Sequence, residues 1–211
     1  MLKLWGRPTS LNVQKVVWAL EEIGVAYERV DVGGRHGGLD QPAYIARNPN
    51  QRIPTLEDDS TVVWESNAVV RYVAARYGEG QLWDADPGRR ARVDQWMDWM
   101  QTTLAPDFYA VFWGVVRTLP EKQDKAAIAA QTKTLGERYA LLDRQLEGRP
   151  FLTGDKLSMA DIVNGATLYR YHEMEIERPA LARVAGWYER LKERPAYRKA
   201  VMVSFDELRA R

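Results

Sequence analysis

Between Asn48 and Ser66 the chain reads Asn-Pro-Asn-Gln-Arg-Ile-Pro-Thr-Leu-Glu-Asp-Asp-Ser-Thr-Val-Val-Trp-Glu-Ser. Two groups in it are suited to hold a small ligand. The first is Ile53-Pro54. Proline has no N–H for a sheet ladder, so Pro54 opens a strand instead of sitting within one. An X-Pro bond is also the kind that is held cis, and a cis step here would turn the Ile53 N–H and C=O toward an extended peptide. The second is Glu65-Ser66 at a predicted helix start. Unpaired N–H groups and a hydroxyl there suit a carboxylate, and Glu65 suits an ammonium. Strand-like backbone pairing beside a grip on an α-amino acid end points to a small peptide ligand.

The elements around these groups follow from periodicity and punctuation. Leu2-Lys3-Leu4-Trp5 alternates as a short strand, and Gly6-Arg7-Pro8-Thr9-Ser10 is a loop of turn formers. Val13, Val16, Val17, Leu20 and Ile23 recur at helical spacing and Gly24 supplies the stop. Tyr27 to Val32 reads as a second strand, Pro42 to Ala46 as a short helix, and Ile53 to Ser66 as a hairpin. Val69, Val70, Val73, Ala74 and Tyr77 mark a helix ended by Gly78. Together these predict a small α/β layer with a mixed sheet. A linker spans 79–88, and no strand pattern follows it. Val93, Trp96, Met97, Met100 and Leu104 form a helical stripe continued by Phe108, Val111, Phe112 and Val115. Pro106 falls inside that pattern and should kink or split the helix. Leu135, Tyr139, Leu142 and Leu146 give the next helix. Ser158-Met-Ala-Asp161 is a capping box that opens a helix expected to reach Glu173. Leu181 to Leu191 is a further helix, and Pro195 starts a last one.

At 211 residues the chain has ample length for a buried core in one large or two small domains. Thirty Lys+Arg against 29 Asp+Glu leave a net charge of +1. That is no field for nucleic acid or an anionic membrane. Lys3, Arg7 and Lys15 interrupt the early apolar positions, so no signal peptide is expected, and no run approaches a membrane span. With no cysteine, disulfides, thiolate metal sites and a cysteine nucleophile are excluded. The expected compartment is the cytoplasm.

The motifs Asn48-Pro49 with Ile53-Pro54-Thr55-Leu56, then Glu65-Ser66, then Leu157-Ser158-Met159-Ala160-Asp161-Ile162, come in an order and spacing that resemble the cytosolic glutathione transferases. The resemblance runs from Met1 to about Arg198. Gly6-Arg-Pro-Thr-Ser-Leu-Asn-Val-Gln-Lys-Val resembles the serine-type branch, with the phi and theta classes and related bacterial enzymes. It implies a thioredoxin-like α/β domain over 1–78 that binds glutathione, the 79–88 linker, and an all-α domain over 89–211 with the second-substrate pocket. It also implies a homodimeric enzyme that uses glutathione as co-substrate and needs no cofactor or metal. Arg71, Arg92 and Asp94 would lie toward the twofold axis. The activity implied is transfer of alkyl or aryl groups of small hydrophobic electrophiles to glutathione, a detoxification chemistry. Glutathione-dependent disulfide exchange, peroxide reduction and a non-catalytic binding module of the same fold stay open beside it.

Such an enzyme must ionise a thiol. A free thiol has a pKa near ~8.5, and lowering it by ~2 units takes ~2.7 kcal/mol. A hydrogen bond to the charged form supplies ~1.5–3 kcal/mol and a helix N-terminus adds ~0.3–1. Ser10, just ahead of the first helix, can give both, and Asn12 is a second donor to the same sulfur. The bland alternative is that Ser10 only caps the helix. Arg52 matches a position near the ligand in relatives, or is a solvated loop cation. In the resemblance, Gly33-Gly-Arg-His-Gly-Gly38 falls where the glycine carboxylate of glutathione is held, so Arg35 or His36 would reach it unless the loop is only solvated. Trp99, Thr103, Phe108 and Trp113 are the candidates for the second-substrate pocket. His172 reads as a surface or boundary residue.

Overall fold

Alternation in the first strand sends Leu2 and Leu4 inward and leaves Lys3 and Trp5 half-covered. The computed structural model describes residues 1–211 and divides into two units. One comprises Met1–Asp86 with Pro195–Val203, the other Pro87–Arg194 with Ser204–Arg211.

The first unit is built on a four-stranded mixed sheet. Strand β1 (Leu2–Trp5) leads to helix α1 (Leu11–Ile23), which Gly24 ends in the left-handed region at φ 82, its N–H bonded to the Leu20 carbonyl. Strand β2 (Tyr27–Val30) lies parallel to β1, Leu2 opposite Tyr27 and Trp5 opposite Val30. It stops two residues short of the expected Val32 because β1 offers no partner beyond Trp5, and the chain turns into the Gly33–Gly38 loop. Helix α2 (Pro42–Ile45) precedes β3 (Thr55–Asp58), which pairs antiparallel with β1 and with β4 (Thr61–Trp64). The sheet order is β2-β1-β3-β4. Asp58 fastens the hairpin to α3 (Ser66–Tyr77) by accepting from the Tyr72 and Tyr77 hydroxyls. These bonds hold its carboxyl below the usual range, Tyr77 contributing most.

Helix α10 (Pro195–Ala200) returns to this unit and covers α1. Trp18 and Tyr197 meet edge-on at 4.8 Å between centroids, and Lys199 pairs with Glu21 at 2.7 Å. The expected division had assigned everything after residue 88 to the helical half, whereas Pro195–Val203 completes the first unit.

The second unit is all helical. Helices α4 (Pro87–Trp99) and α5 (Ala105–Val116) are joined by a π turn over Met100–Leu104, in which the Ala105 N–H reaches back to the Met100 carbonyl. Pro106 cannot donate to a carbonyl four residues back. The widened turn lets the helix run through it, where a kink or break was expected. Asp124 caps α6 (Lys125–Gln145) by accepting from Ala127 N at 2.9 Å. The capping box forms at α7 (Met159–Gly165): Asp161 accepts from Ser158 N at 2.9 Å, Ser158 Oγ at 2.7 Å and Leu152 N at 2.8 Å. The helix expected to run on to Glu173 is interrupted before α8 (Leu168–Glu173), where the Thr167 hydroxyl takes the Asn164 carbonyl at 2.6 Å. Asn164 also ties α7 to α4 through the Trp96 carbonyl at 3.1 Å. Helix α9 (Ala182–Lys192) completes this unit's helices. No helix is long and apolar enough to cross a membrane.

Candidate active site in the first unit

The loop from β1 into α1 is stitched on both sides. Gly6 N–H donates to the Val30 carbonyl at 2.9 Å, and the Gly6 carbonyl accepts from Arg29 at 3.1 Å. Gly6 sits at φ 151, and a Cβ there would overlap Val13 Cγ2. The first turn of α1 can therefore lie against the strand only because this residue has no side chain. Gln14, itself buried, donates to the Pro8 carbonyl at 3.0 Å. These contacts place Ser10 at the N-cap, with extended backbone and its Oγ accepting from Val13 N at 3.5 Å. Capping uses the hydroxyl as an acceptor. Its proton stays available, so capping the helix and donating to an anion are compatible roles for one serine.

Asn12 lies in the first turn of the same helix. Its Oδ1 accepts from Lys15 Nζ at 3.0 Å and from Ser66 Oγ at 3.3 Å. With the oxygen committed to two donors, the amide presents its NH2 as the group left for a ligand. The Ser66 bond spans 54 residues and brings the starts of α1 and α3 together. Two helix N-termini thus converge in one place, each with unpaired N–H groups and a partial positive charge.

The second helix start differs from expectation in one respect. Ser66 is buried and gives its only hydroxyl proton to Asn12, so α3 offers an anion its leading backbone N–H groups. Glu65 is exposed and held at φ 70, ψ 113, in the region a non-glycine residue rarely occupies. Such a conformation costs on the order of 1–3 kcal/mol and clusters at ligand sites.

The Ile53–Pro54 bond is cis. Its surroundings are held by two buried residues. Tyr44 Oη donates to the Arg52 carbonyl at 2.6 Å and meets Thr55 Oγ1 at 2.9 Å. Asn48 Nδ2 reaches the same two atoms at 2.9 and 3.1 Å. Burial raises the Tyr44 hydroxyl pKa, keeping it a donor. The Ile53 side chain packs beneath Gly6 and Gly33. Its backbone N–H and C=O take part in no hydrogen bond of the chain.

Lys15 is the residue that sequence reasoning missed. It is 0% exposed, and burial lowers its pKa to about 7, with Glu65 acting in the opposite sense. The only signal for it was that Lys15 is the single charge between Leu11 and Leu20.

The remaining expected residues are more scattered. Arg52 is exposed, with its carbonyl used in the loop. His36 and Arg35 lie exposed on a 3-10 turn over Gly34–His36 and bond each other at 3.4 Å. Trp99 is half-buried, edge-on to Trp96 at 5.3 Å, and Thr103 lies half-buried in the π turn. Phe108 is 0% exposed and stacked on Phe112. It lies in the core of the second unit, covered by its neighbours. Trp113 is 55% exposed with the Arg117 guanidinium over its ring at 4.6 Å. His172 is half-buried, stacked on Tyr188 at 4.4 Å, its pKa lowered first by burial. No group of His, Asp and Glu side chains is placed to hold a metal ion.

Comparison with known proteins bears on this arrangement. The glutathione S-transferase N-terminal domain model matches residues 1–75, and the glutathione S-transferase C-terminal domain model matches 93–195. "Glutathione S-transferase GstB" of Escherichia coli (strain K12) is 42% identical, covering 96% of this chain and 99% of the relative. The "Disulfide-bond oxidoreductase YfcG" of that strain is 26% identical, covering 96% and 95%. A theta class glutathione S-transferase from the citrus canker pathogen Xanthomonas axonopodis pv. citri, solved with glutathione bound, superposes with a TM-score of 0.92. That structure is 48% identical and covers 96% of this chain and 98% of its own. A thioredoxin-like sheet, two convergent helix starts and a free Ile53 backbone edge on one side, and matches of this extent on the other, lead to one assignment: the chain belongs to the glutathione S-transferase family.

Proposed function

We propose that the first unit binds glutathione and ionises its thiol, and that the enzyme transfers the sulfur to an apolar electrophile. The observation that carries this reading is the Asn12–Ser66 hydrogen bond, which sets two helix N-termini side by side. One suits a thiolate and the other an α-carboxylate. Ser10 donates its free proton to the sulfur and Asn12 donates through Nδ2. Ile53, next to Pro54, pairs its unused N–H and C=O with the tripeptide backbone. The leading N–H groups of α3, at Ser66, take the γ-glutamyl carboxylate, and Glu65 takes the ammonium. Arg52, Arg35 and His36 are the cations nearest in sequence to serve the glycine carboxylate. Trp99, Thr103 and Trp113 are the aromatic and polar candidates for the electrophile. The site needs no general base, since the thiol proton leaves to solvent before attack. We further infer a cytoplasmic homodimer acting in detoxification, with Arg71, Arg92 and Asp94 toward the twofold axis.

A second reading is disulfide exchange, supported by the likeness to a disulfide-bond oxidoreductase. The chain has no cysteine, so the thiols in that reaction are those of glutathione itself. Assay of the purified enzyme with glutathione separates the readings. Conjugation of a chloroaryl substrate without reduction of a small disulfide supports transfer. The reverse pattern supports exchange, and neither activity refutes an enzymatic role.

A further inference from the structure

Helix α1 buries a lysine for which the chemistry above has no task. Lysine almost always keeps its ammonium in water while burying its stem, yet the whole of Lys15 is enclosed. Its Nζ lies 3.0 Å from Asn12 Oδ1, the oxygen that also accepts the Ser66 hydroxyl. The charge therefore stands one hydrogen bond behind the amide assigned to the sulfur. Other charges on helices packed against α1 are Arg71 and Arg76 of α3 and Arg198 and Lys199 of α10. Arg76 lies over the Tyr77 ring and Lys199 pairs with Glu21, while the carboxylate that acts on Lys15 is Glu65.

We propose that Lys15 is a positioning residue for the thiolate: it fixes the Asn12 amide with its NH2 toward the sulfur, and it gains a proton as the thiol loses one. This rests on the assignment of Ser10 and Asn12 to glutathione. The balance is simple. The S–H bond of glutathione breaks and its proton goes to solvent, while the Lys15 amine takes a proton from solvent and forms an N–H bond. The thiolate and ammonium then stabilise each other across Asn12, and the complex keeps its proton count. A lysine already half neutral near pH 7 is poised for that exchange, because burial has removed most of its preference for charge.

The test titrates the thiolate absorbance of bound glutathione in wild type, Lys15→Met and Lys15→Arg. The Met variant should raise the thiol pKa by about one unit, a roughly fivefold loss of thiolate at pH 6.5 for a wild-type thiol titrating near ~6.5, whereas Arg should restore most of it. Affinity for S-methylglutathione, which has no ionisable sulfur, should stay within about twofold, because the opposite charge acts on the thiolate alone. A second measurement needs no variant. Calorimetry of glutathione binding to wild type at pH 8, in two buffers of different ionisation heat, should count fewer protons released than thiolates formed. A Met variant that titrates like wild type, or one proton released per thiolate, would overturn the proposal. Should Lys15→Met not fold, the proton count decides alone. Absence of any thiolate in wild type overturns the assignment of Ser10 and Asn12 and this proposal with it.

Discussion

Replacing Ser10 by alanine separates the two tasks its hydroxyl can perform. As a cap it accepts from Val13 N at 3.5 Å, the outer limit of a hydrogen bond. The cost to folding should therefore sit at the low end for an N-cap, about 0.5 kcal/mol. In a chain of this size that is about 1–2 °C in Tm. As a donor to sulfur the same group makes a charge-assisted bond worth about 1.5–3 kcal/mol. At 1.36 kcal/mol per unit, its loss should raise the pKa of bound glutathione by roughly 1–2 units. If the wild-type thiol titrates near ~6.5 and the variant near ~8, kcat/KM falls about 15-fold at pH 6.5 and is nearly level at pH 9. The sign follows from the acid: a donor to the thiolate favours the ionised form, so the deficit is largest where solvent leaves the thiol protonated. Thermal melts, thiolate absorbance and a pH–rate profile of the two proteins test this together. Superimposable thiol titrations would refute the donor role and leave Ser10 as a cap. A melting loss near 10 °C would refute the weak-cap argument.

Three further perturbations follow from the geometry. Gly6→Ala sets a methyl against Val13 Cγ2 at a positive φ and should cost about 1–3 kcal/mol in urea denaturation. It should also raise the KM for glutathione by shifting the first turn of α1, and an unchanged KM would show that the turn does not hold the ligand. Asn48→Ala removes a buried donor from the Arg52 carbonyl and Thr55 Oγ1 and should cost about 1–3 kcal/mol. The KM for glutathione should rise more than that for the electrophile, and equal changes would detach the Ile53 loop from glutathione binding. Burial pushes the Asp161 carboxyl up to about 6 despite its donors. An acid raised above its unfolded pKa binds more protons when folded, so its contribution is full below about pH 4 and is lost as pH rises through 6. Asp161→Asn should start less stable and lack that slope, and urea midpoints with the same pH dependence in both proteins would refute it.

What the sequence disclosed was local. Gly24 and Gly78 end helices, Pro54 precedes a strand, and Ser158 with Asp161 makes a capping box because each acts within a turn of itself. What it concealed depended on partners far along the chain. Lys15 interrupts an apolar run, and nothing local says that its ammonium is enclosed and bonded to Asn12 Oδ1. Phe108 belonged to an apolar stripe that serves a core or a pocket equally well, and its full burial shows only in the packed second unit. Pro106 signalled a disturbance without its form, because a π turn and a break answer the same missing N–H. Ser10, Asn12 and Ser66 were recognisable by type, but not the hydrogen bond that makes Asn12 the hub of the group.

The return of α10 to the first unit also bears on synthesis. A ribosome releases the sheet, Ser10, Asn12 and Ser66 early, yet the layer that packs on α1 carries Tyr197 and Lys199 and emerges well over a hundred residues later. Until then Trp18 lacks its edge-on contact with Tyr197, and Glu21 lacks its partner Lys199. Truncation before Pro195 would leave every named ligand-binding residue in the polypeptide but remove that layer. A nascent or clipped chain therefore has the residues of the site on a helix α1 whose Trp18 face is bare, so the binding argued for here would be firm only once α10 has been made.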